Sequence, residues 1–391
     1  MQFDKEQIKK FNSLETPFYY YNLDLLNKTL EELNKESSKR NYKIHYALKA
    51  NSNDRILKII SGAGLGADCV SGNEITKAVS AGFKNGEIVF AGVGKSDKEI
   101  RTALVNNIAC FNVESVQELE VINSIASAQN KIAPLAIRIN PNVDANTHHY
   151  ITTGLEENKF GINTWELPAI IEKLSSLKNI NLIGIHFHIG SQITDLNIFK
   201  GLCLRVNEIQ KWFDERNFQF KSINAGGGLG INYEDPDAEL IPDFRSYFDV
   251  FHKFLEVRPD QEIHFEIGRA IIGQCGSLIS RVLYIKEGMS TNFAILDAGM
   301  TELIRPALYQ SYHKIENLSN FGFQISDFGF RKYDVVGPIC ESSDTFGKSI
   351  LLPETIRGNL IAIRSTGAYG EEMASGYNLR EKAKSHFSDK I

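Results

Sequence analysis

The pattern of apolar and polar positions changes character twice along the chain. Residues 18–22 read as a short strand, and Leu23–Ser38 as an amphipathic helix with Leu25, Leu26, Leu30 and Leu33 on one side. Short apolar runs then recur near 43–48, 65–70, 87–91, 108–112, 134–139, 182–188, 222–225 and 263–267, with stretches between them that can hold a helix, such as 73–81 and 115–127. Strands alternating with helices over about 250 residues predict a (β/α)8 barrel, with a doubly wound open sheet as the alternative. After Ile271 the alternation gives way to strands without regular helices, near 278–285, 293–297, 332–336 and 360–364, which predicts a second, mainly β domain. The expected organisation is an N-terminal segment, 1–24, joining that β domain, a barrel over 25–270 and a C-terminal β domain over 271–391.

In such a barrel the loops after the strands carry the chemistry, and the unusual residues fall there. Lys49 ends the first strand, Asp68 the second with Glu74 beyond, Asn112 the fourth and Arg138-Ile139-Asn140 the fifth. His188-Ile189-Gly190-Ser191 ends the sixth, Gly226-Gly227-Gly228 the seventh, and Glu266-Ile267-Gly268-Arg269 the eighth. A lysine at a strand end is most often solvated, because Lys is seldom buried without a partner. Held in a partly desolvated pocket, its neutral, nucleophilic amine becomes accessible. Gly226, Gly227 and Gly228 expose three backbone amides with no Cβ in the way, which suits a phosphate, and the loops after strands seven and eight are the usual phosphate site of a barrel. His186 and His188, two apart on a strand, face the same way. They read as a metal-binding pair, as a ring lying against a flat cofactor, or as packed histidines bonded to backbone.

Composition narrows the classes. The formal charge of the 391-residue chain is −5 and its pI is near 6.0; no Lys/Arg cluster stands out, so neither nucleic acid nor membrane is an expected partner. Five cysteines, Cys69, Cys110, Cys203, Cys275 and Cys340, are scattered without a C-x-x-C pair, as expected of reduced thiols. The charged N-terminus lacks an apolar leader pattern, and no apolar run reaches bilayer length. A cytoplasmic protein is expected.

A phosphate site, a strand-end lysine and an acid opposite suggest pyridoxal 5′-phosphate, with Lys49 joined to its aldehyde and Glu266 beside the ring nitrogen. The stretches Tyr46-Ala47-Leu48-Lys49-Ala50-Asn51, His188-Ile189-Gly190-Ser191-Gln192, Gly226-Gly227-Gly228, Glu266-Ile267-Gly268-Arg269, Arg305-Pro306-Ala307-Leu308-Tyr309, Cys340-Glu341 and Gly367-Ala368-Tyr369 occur in this order. The set resembles the fold-type III decarboxylases, and among them the diaminopimelate decarboxylase family, over nearly the whole chain.

That resemblance implies decarboxylation of meso-2,6-diaminopimelate to L-lysine and carbon dioxide in a two-fold homodimer with shared active sites. It implies that Lys49 carries the cofactor, that His188 stacks on its ring, and that Glu266 meets the ring nitrogen. Asp68 joins the cofactor-binding set, and Ser191, the three glycines, Gly268, Arg269 and Tyr369 are implied near the phosphate or the substrate. Arg269 and Arg305 would grip the distal carboxylate, with Tyr309, Tyr369 and Glu341 completing recognition and Cys340 of the partner supplying a proton. Glu341 after the cysteine separates the chain from ornithine decarboxylases, which carry aspartate there. Ile267 and Ala270 depart from the family's usual proline and serine. The alternatives are decarboxylation of a related basic or diamino acid, a non-catalytic cofactor-binding barrel, and a metal hydrolase built on His186 and His188, although no metal is expected. The polar stretch 142–159, with Asp144, Thr147, His148 and Tyr150, reads as a lid.

Overall fold

The computed structural model describes residues 3–143, 159–319 and 329–391. The expected lid positions Asp144, Thr147, His148 and Tyr150 lie outside the described residues. The chain divides into two units, one of Met1–Thr29, Ile231–Pro242 and Arg269–Ile391, the other of Leu30–Gly230 and Asp243–Gly268.

The first strand, β1 (Phe18–Tyr21), belongs to the sheet of the other unit. The next eight strands all come from the short apolar runs: β2 (Lys43–Ala47), β3 (Gly66–Cys69), β4 (Ile88–Phe90), β5 (Cys110–Val113), β6 (Ala133–Arg138), β7 (Ile180–His186), β8 (Ser222–Asn224) and β9 (Glu262–Ile267). Each is parallel to its neighbours, and β9 pairs with β2, so the sheet closes as a barrel and the open-sheet alternative falls away. Parallel strands covered on both faces read as continuous apolar runs, and Ile88-Val89-Phe90 is buried at every position.

Helices cover the outside with apolar faces and begin with the same device. Asn53, Ser71, Ser96 and Ser115 each cap a helix by accepting a backbone N–H from its first turn. The helix Phe244–Phe254 packs Phe248 and Phe251 on Phe265 of β9, with ring centroids 5.1 and 4.8 Å apart. Those rings anchor the strand that carries Glu266, each burying on the order of 150–250 Å².

The barrel interior is polar at several inward positions. His45, Asp68, Asn112, His186, Asn224 and Glu266 are all buried. Lower down, His45 and His264 stack and share a 2.8 Å hydrogen bond, while His45 Nδ1 meets the Glu87 carbonyl at 3.0 Å. Buried groups of this kind persist only when they are bonded.

The other unit is a mixed sheet in the order β12 (Ile315–Asn317), β15 (Leu360–Ile363), β10 (Gly276–Glu287), β11 (Asn292–Leu296), β13 (Phe330–Val336) and β14 (Thr345–Pro353). Strand β1 pairs antiparallel with β10 and parallel with β16 (Lys384–Phe387). Phe3, Phe11, Phe18, Tyr20, Ile279, Leu318 and Leu360 form its core. No helix among the described residues is long and apolar enough to cross a membrane.

Candidate active site

Within the barrel, chemistry gathers around two buried carboxylates. Lys49 sits on a single 3-10 turn, Leu48–Ala50, just past β2 rather than on the strand itself. Its ammonium donates to Asp68 Oδ2 at 2.6 Å, and the lysine side chain keeps 36% of its surface exposed while Asp68 keeps none. Burial and the charge of Glu266 push the Asp68 carboxyl up to about 6, against the pull of Lys49. Asp68 Oδ1 is buried without a hydrogen-bond partner.

Glu266, near the end of β9, has the opposite character. Its Oε1 accepts from Asn112 Nδ2 at 3.0 Å and Asn224 Nδ2 at 2.8 Å, and its Oε2 accepts from His186 Nε2 at 3.0 Å. Burial alone would raise this carboxyl, but His186, Lys49 and His188 hold it well below the usual carboxylate range. Two carboxyls that feel one another settle with their affinities apart, so Glu266 stays ionised and Asp68 takes up the proton first.

His188, just beyond β7, is kept neutral by burial and by the positive charges of Arg138 and Lys49. Its Nδ1 accepts from the Gly227 N–H at 3.3 Å. Gly226 and Gly228 have φ of +71° and +114°, where only glycine is unstrained. A Cβ at Gly226 would run into the Phe187 carbonyl and one at Gly227 into the Glu266 carbonyl. Asn224 Oδ1 holds the Gly226 N–H at 2.9 Å. Gly268 lets the end of β9 lie on the lysine turn, for a Cβ there would meet those of Ala50 and Ala47 at 2.9 and 3.1 Å. Ser191, in the loop after β7, is partly exposed.

The β unit carries a second cluster, of cations. Arg269 opens the short helix Arg269–Ile272 and donates to Tyr233 Oη at 2.5 Å. Arg305 opens the helix Arg305–Tyr309 and donates to the same oxygen at 3.1 Å, to His313 Nε2 at 2.8 Å and to Ser311 Oγ at 3.4 Å. Both guanidiniums are buried, and that of Arg269 lies 4.9 Å from the centre of the Tyr369 ring. Burial, with the like charge of Arg269, lowers the Arg305 pKa against the pull of Tyr233. Burial would raise the Tyr233 hydroxyl, yet Arg269 and Arg305 hold it below its ordinary value. Tyr309, last in its helix, is partly buried.

Cys340 and Glu341 lie on an exposed turn of the same unit, whereas the other four cysteines are buried. The Cys340 N–H donates to Asn378 Oδ1 at 3.4 Å, and Glu341 Oε1 accepts from the Tyr377 hydroxyl at 2.7 Å.

Residues 23–273 match the family described as pyridoxal-dependent decarboxylase, pyridoxal binding domain. A diaminopimelate decarboxylase from Bacteroides thetaiotaomicron is 57% identical over 385 residues, 98% of either chain. The chain belongs to the diaminopimelate decarboxylase family. Among solved structures of the family, the Helicobacter pylori enzyme complexed with L-lysine is 40% identical and superposes with a TM-score of 0.90 over 98% of this chain and 94% of its own. The M. jannaschii enzyme with L-lysine is 31% identical, with a TM-score of 0.88 over 98% of this chain and 89% of its own.

Pyridoxal 5′-phosphate is therefore the cofactor, and the barrel fits it. An amine stands beside an acid whose Oδ1 has no partner, a glycine cradle leaves no room for side chains, and a buried carboxylate is kept ionised. The metal reading of His186 and His188 loses its footing, since the two rings engage different partners. Among the described residues no group of three or more His, Cys, Asp or Glu could hold a metal ion. Three participants were not singled out by sequence: Asn224, Tyr233, and His186 as the partner of Glu266. Asn224 shares its inward parity with the glycine at 226, which was the available signal; nothing local marked Tyr233.

Proposed function

We propose that the protein decarboxylates meso-2,6-diaminopimelate to L-lysine and carbon dioxide, the closing reaction of lysine biosynthesis. The observation that carries this reading is Glu266, a buried carboxylate held ionised in the same polar cluster as the Lys49 amine. L-lysine in the structures of family members is the product this reaction would leave.

Bound pyridoxal phosphate supplies a conjugated electron sink for the pair released when the Cα–carboxylate bond breaks. Lys49 would hold it through its amine, with Asp68 beside that amine to take or return a proton at Nζ. Glu266 would hold a proton on the ring nitrogen, because an ionised carboxylate favours the protonated pyridine beside it. The neutral His188 ring would lie flat on the cofactor, and the amides of Gly226, Gly227 and Gly228 with Ser191, Gly268 and Tyr369 would receive the phosphate. Arg269 and Arg305 would bind the substrate's distal carboxylate by their planar forks, with Tyr309 and Tyr369 alongside. Glu341 would meet the ammonium, and Cys340 would return a proton to Cα from the partner subunit of a homodimer; the exposure of both residues in a single chain supports that role. A cytoplasmic location belongs to the same reading.

The test is to incubate the purified, cofactor-loaded protein with meso-diaminopimelate and follow carbon dioxide and L-lysine. Lys49→Ala is expected to abolish both turnover and the visible absorption of the bound cofactor. Turnover retained by Lys49→Ala would overturn the assignment.

A further inference from the structure

Of the His186-x-His188 pair, the proposed reaction gives a role only to His188. His186 is buried, and its Nε2 is 3.0 Å from Glu266 Oε2. A carboxylate oxygen only accepts, so Nε2 carries the hydrogen of this bond. His186 Nδ1 is buried with no partner, so only Glu266 fixes which ring nitrogen keeps the proton.

A carboxylate offers about four lone-pair positions. Two on Oε1 are taken by Asn112 and Asn224, and one on Oε2 by His186. A single acceptor position remains, on the oxygen that His186 holds. Those donors come from β5, β7 and β8, while Glu266 stands on β9, so rigid strands fix the direction in which that position points. Asn224 also binds the Gly226 N–H through its Oδ1, which ties the carboxylate to the first glycine of the cradle.

We infer that His186 is a positioning residue for the decarboxylation: with Asn112 and Asn224 it fixes the Glu266 carboxylate so that one lone pair of Oε2 is left for the cofactor's ring nitrogen. The inference rests on the proposed function and deepens it. His186 meets Glu266 and acts through it. Hydrogen bonds to a charged group are strong enough that losing this one lowers kcat by about 10- to 100-fold, with KM little changed because no substrate contact is removed.

The experiment uses the cofactor-loaded protein and three variants. His186→Leu removes the donor, His186→Gln returns an N–H near the position of Nε2, and His186→Asn is polar but too short to reach. The readouts are kcat, KM and the pH titration of the bound cofactor's visible band. Other groups that feel Glu266 are Lys49, Asp68, His188, Cys110, His45 and His264. They are common to all variants, so the displacement between variants is read rather than any one midpoint.

His186→Leu is expected to keep the cofactor, to lose kcat by the stated factor, and to move the acid limb of the band's titration to higher pH by about one unit or more. A carboxylate with one donor fewer takes its proton more readily, which sets that sign. His186→Gln restores most of kcat and of the titration. If leucine prevents folding, His186→Asn gives the same displacement without rescue. An unmoved titration and a kcat within about two-fold of wild type in the leucine or asparagine variant overturn the inference while leaving the proposed function standing. A wild-type protein that binds no cofactor or releases no carbon dioxide overturns the proposed function instead.

Discussion

Glu266 and Arg305 are both buried charges, yet their surroundings are built in opposite ways. Glu266 meets three donors on three strands, and the polar groups around it hold it ionised. Arg305 spends its donors on a tyrosine, a histidine and a serine, and burial works against its charge. A buried ion with its partners in place is a finished part, positioned before any ligand arrives. One whose partners are neutral gains most when an anion comes, because a desolvated charge without a counterion is costly. The difference separates a barrel carboxylate whose partners are in place from an arginine cluster whose proposed role is recognition.

The largest effect should come from neutralising the finished site. Glu266→Gln keeps the shape and removes the charge, and kcat is expected to fall by about 10²- to 10⁴-fold, the range for losing a positioned acid–base partner. Cofactor content should persist, since Lys49 and the glycine cradle are untouched. Steady-state kinetics with an absorbance measurement of bound cofactor check both, and a wild-type kcat would remove the distinction between the two charges.

Arg305→Met probes the other side of the contrast. With Arg305 in its proposed role as a donor to the substrate carboxylate, its loss should raise KM for meso-diaminopimelate by about 10- to 100-fold, with kcat changing far less. Arg305→Lys should recover only part, because an ammonium lacks the planar fork. If kcat falls and KM holds, Arg305 belongs with the fixed machinery and the contrast fails.

Much of the fixed half was legible in sequence because a barrel collects its chemistry at the carboxyl ends of its strands. Lys49, Asp68, His188 and Glu266 could be nominated from that rule alone. What could not be read is the bonding that makes Glu266 special, since Asn112, His186 and Asn224 lie 154, 80 and 42 residues from it and meet only when the barrel closes. The arginine cluster was harder. Tyr233 is 36 residues from Arg269 and 72 from Arg305, in a segment with no strand or helix periodicity of its own. Strands β12, β14 and β16 were missed as well: β12 has three residues, β14 is interrupted by Gly347 and ends on Pro353, and β16 reads Lys-Ser-His-Phe. Short and polar strands take their stability from pairing partners, not from a pattern of their own.

Asp68 stands between the two cases, with one oxygen paired and the other not. Its folded-state pKa, about 6, lies above the ordinary 3.8. The folded protein therefore binds this proton more tightly than the unfolded chain. The resulting stability is fully present below about pH 3.8 and is lost as pH rises through about 6. Glu266 contributes in the opposite sense, adding stability above its unfolded value of 4.5 that is lost on acidification through its depressed pKa. Asp68→Asn should remove the first contribution, flattening the stability of the cofactor-free protein between pH 4 and 6 by on the order of 2 kcal/mol. Urea unfolding across that range measures it, and an unchanged slope would show that Asp68 is already satisfied.

A surface carboxylate supplies the control that isolates burial as the cause. Glu99 is bonded as richly as Glu266: it accepts from the Ser96 N–H at 3.0 Å, the Ser96 hydroxyl at 2.7 Å and the Gly72 N–H at 3.0 Å. These bonds, led by those of Ser96, lower its pKa as well. It differs in lying toward solvent, in the first turn of the helix Asp97–Val105, where water competes for every one of those donors. Glu99→Ala should therefore cost only about 1 kcal/mol, the usual worth of a helix cap, and leave kcat unchanged. If bonding alone fixed the importance of a carboxylate, this variant would match Glu266→Gln. A small loss in thermal unfolding with full activity would show that the same hydrogen bonds become functionally decisive only where water is excluded.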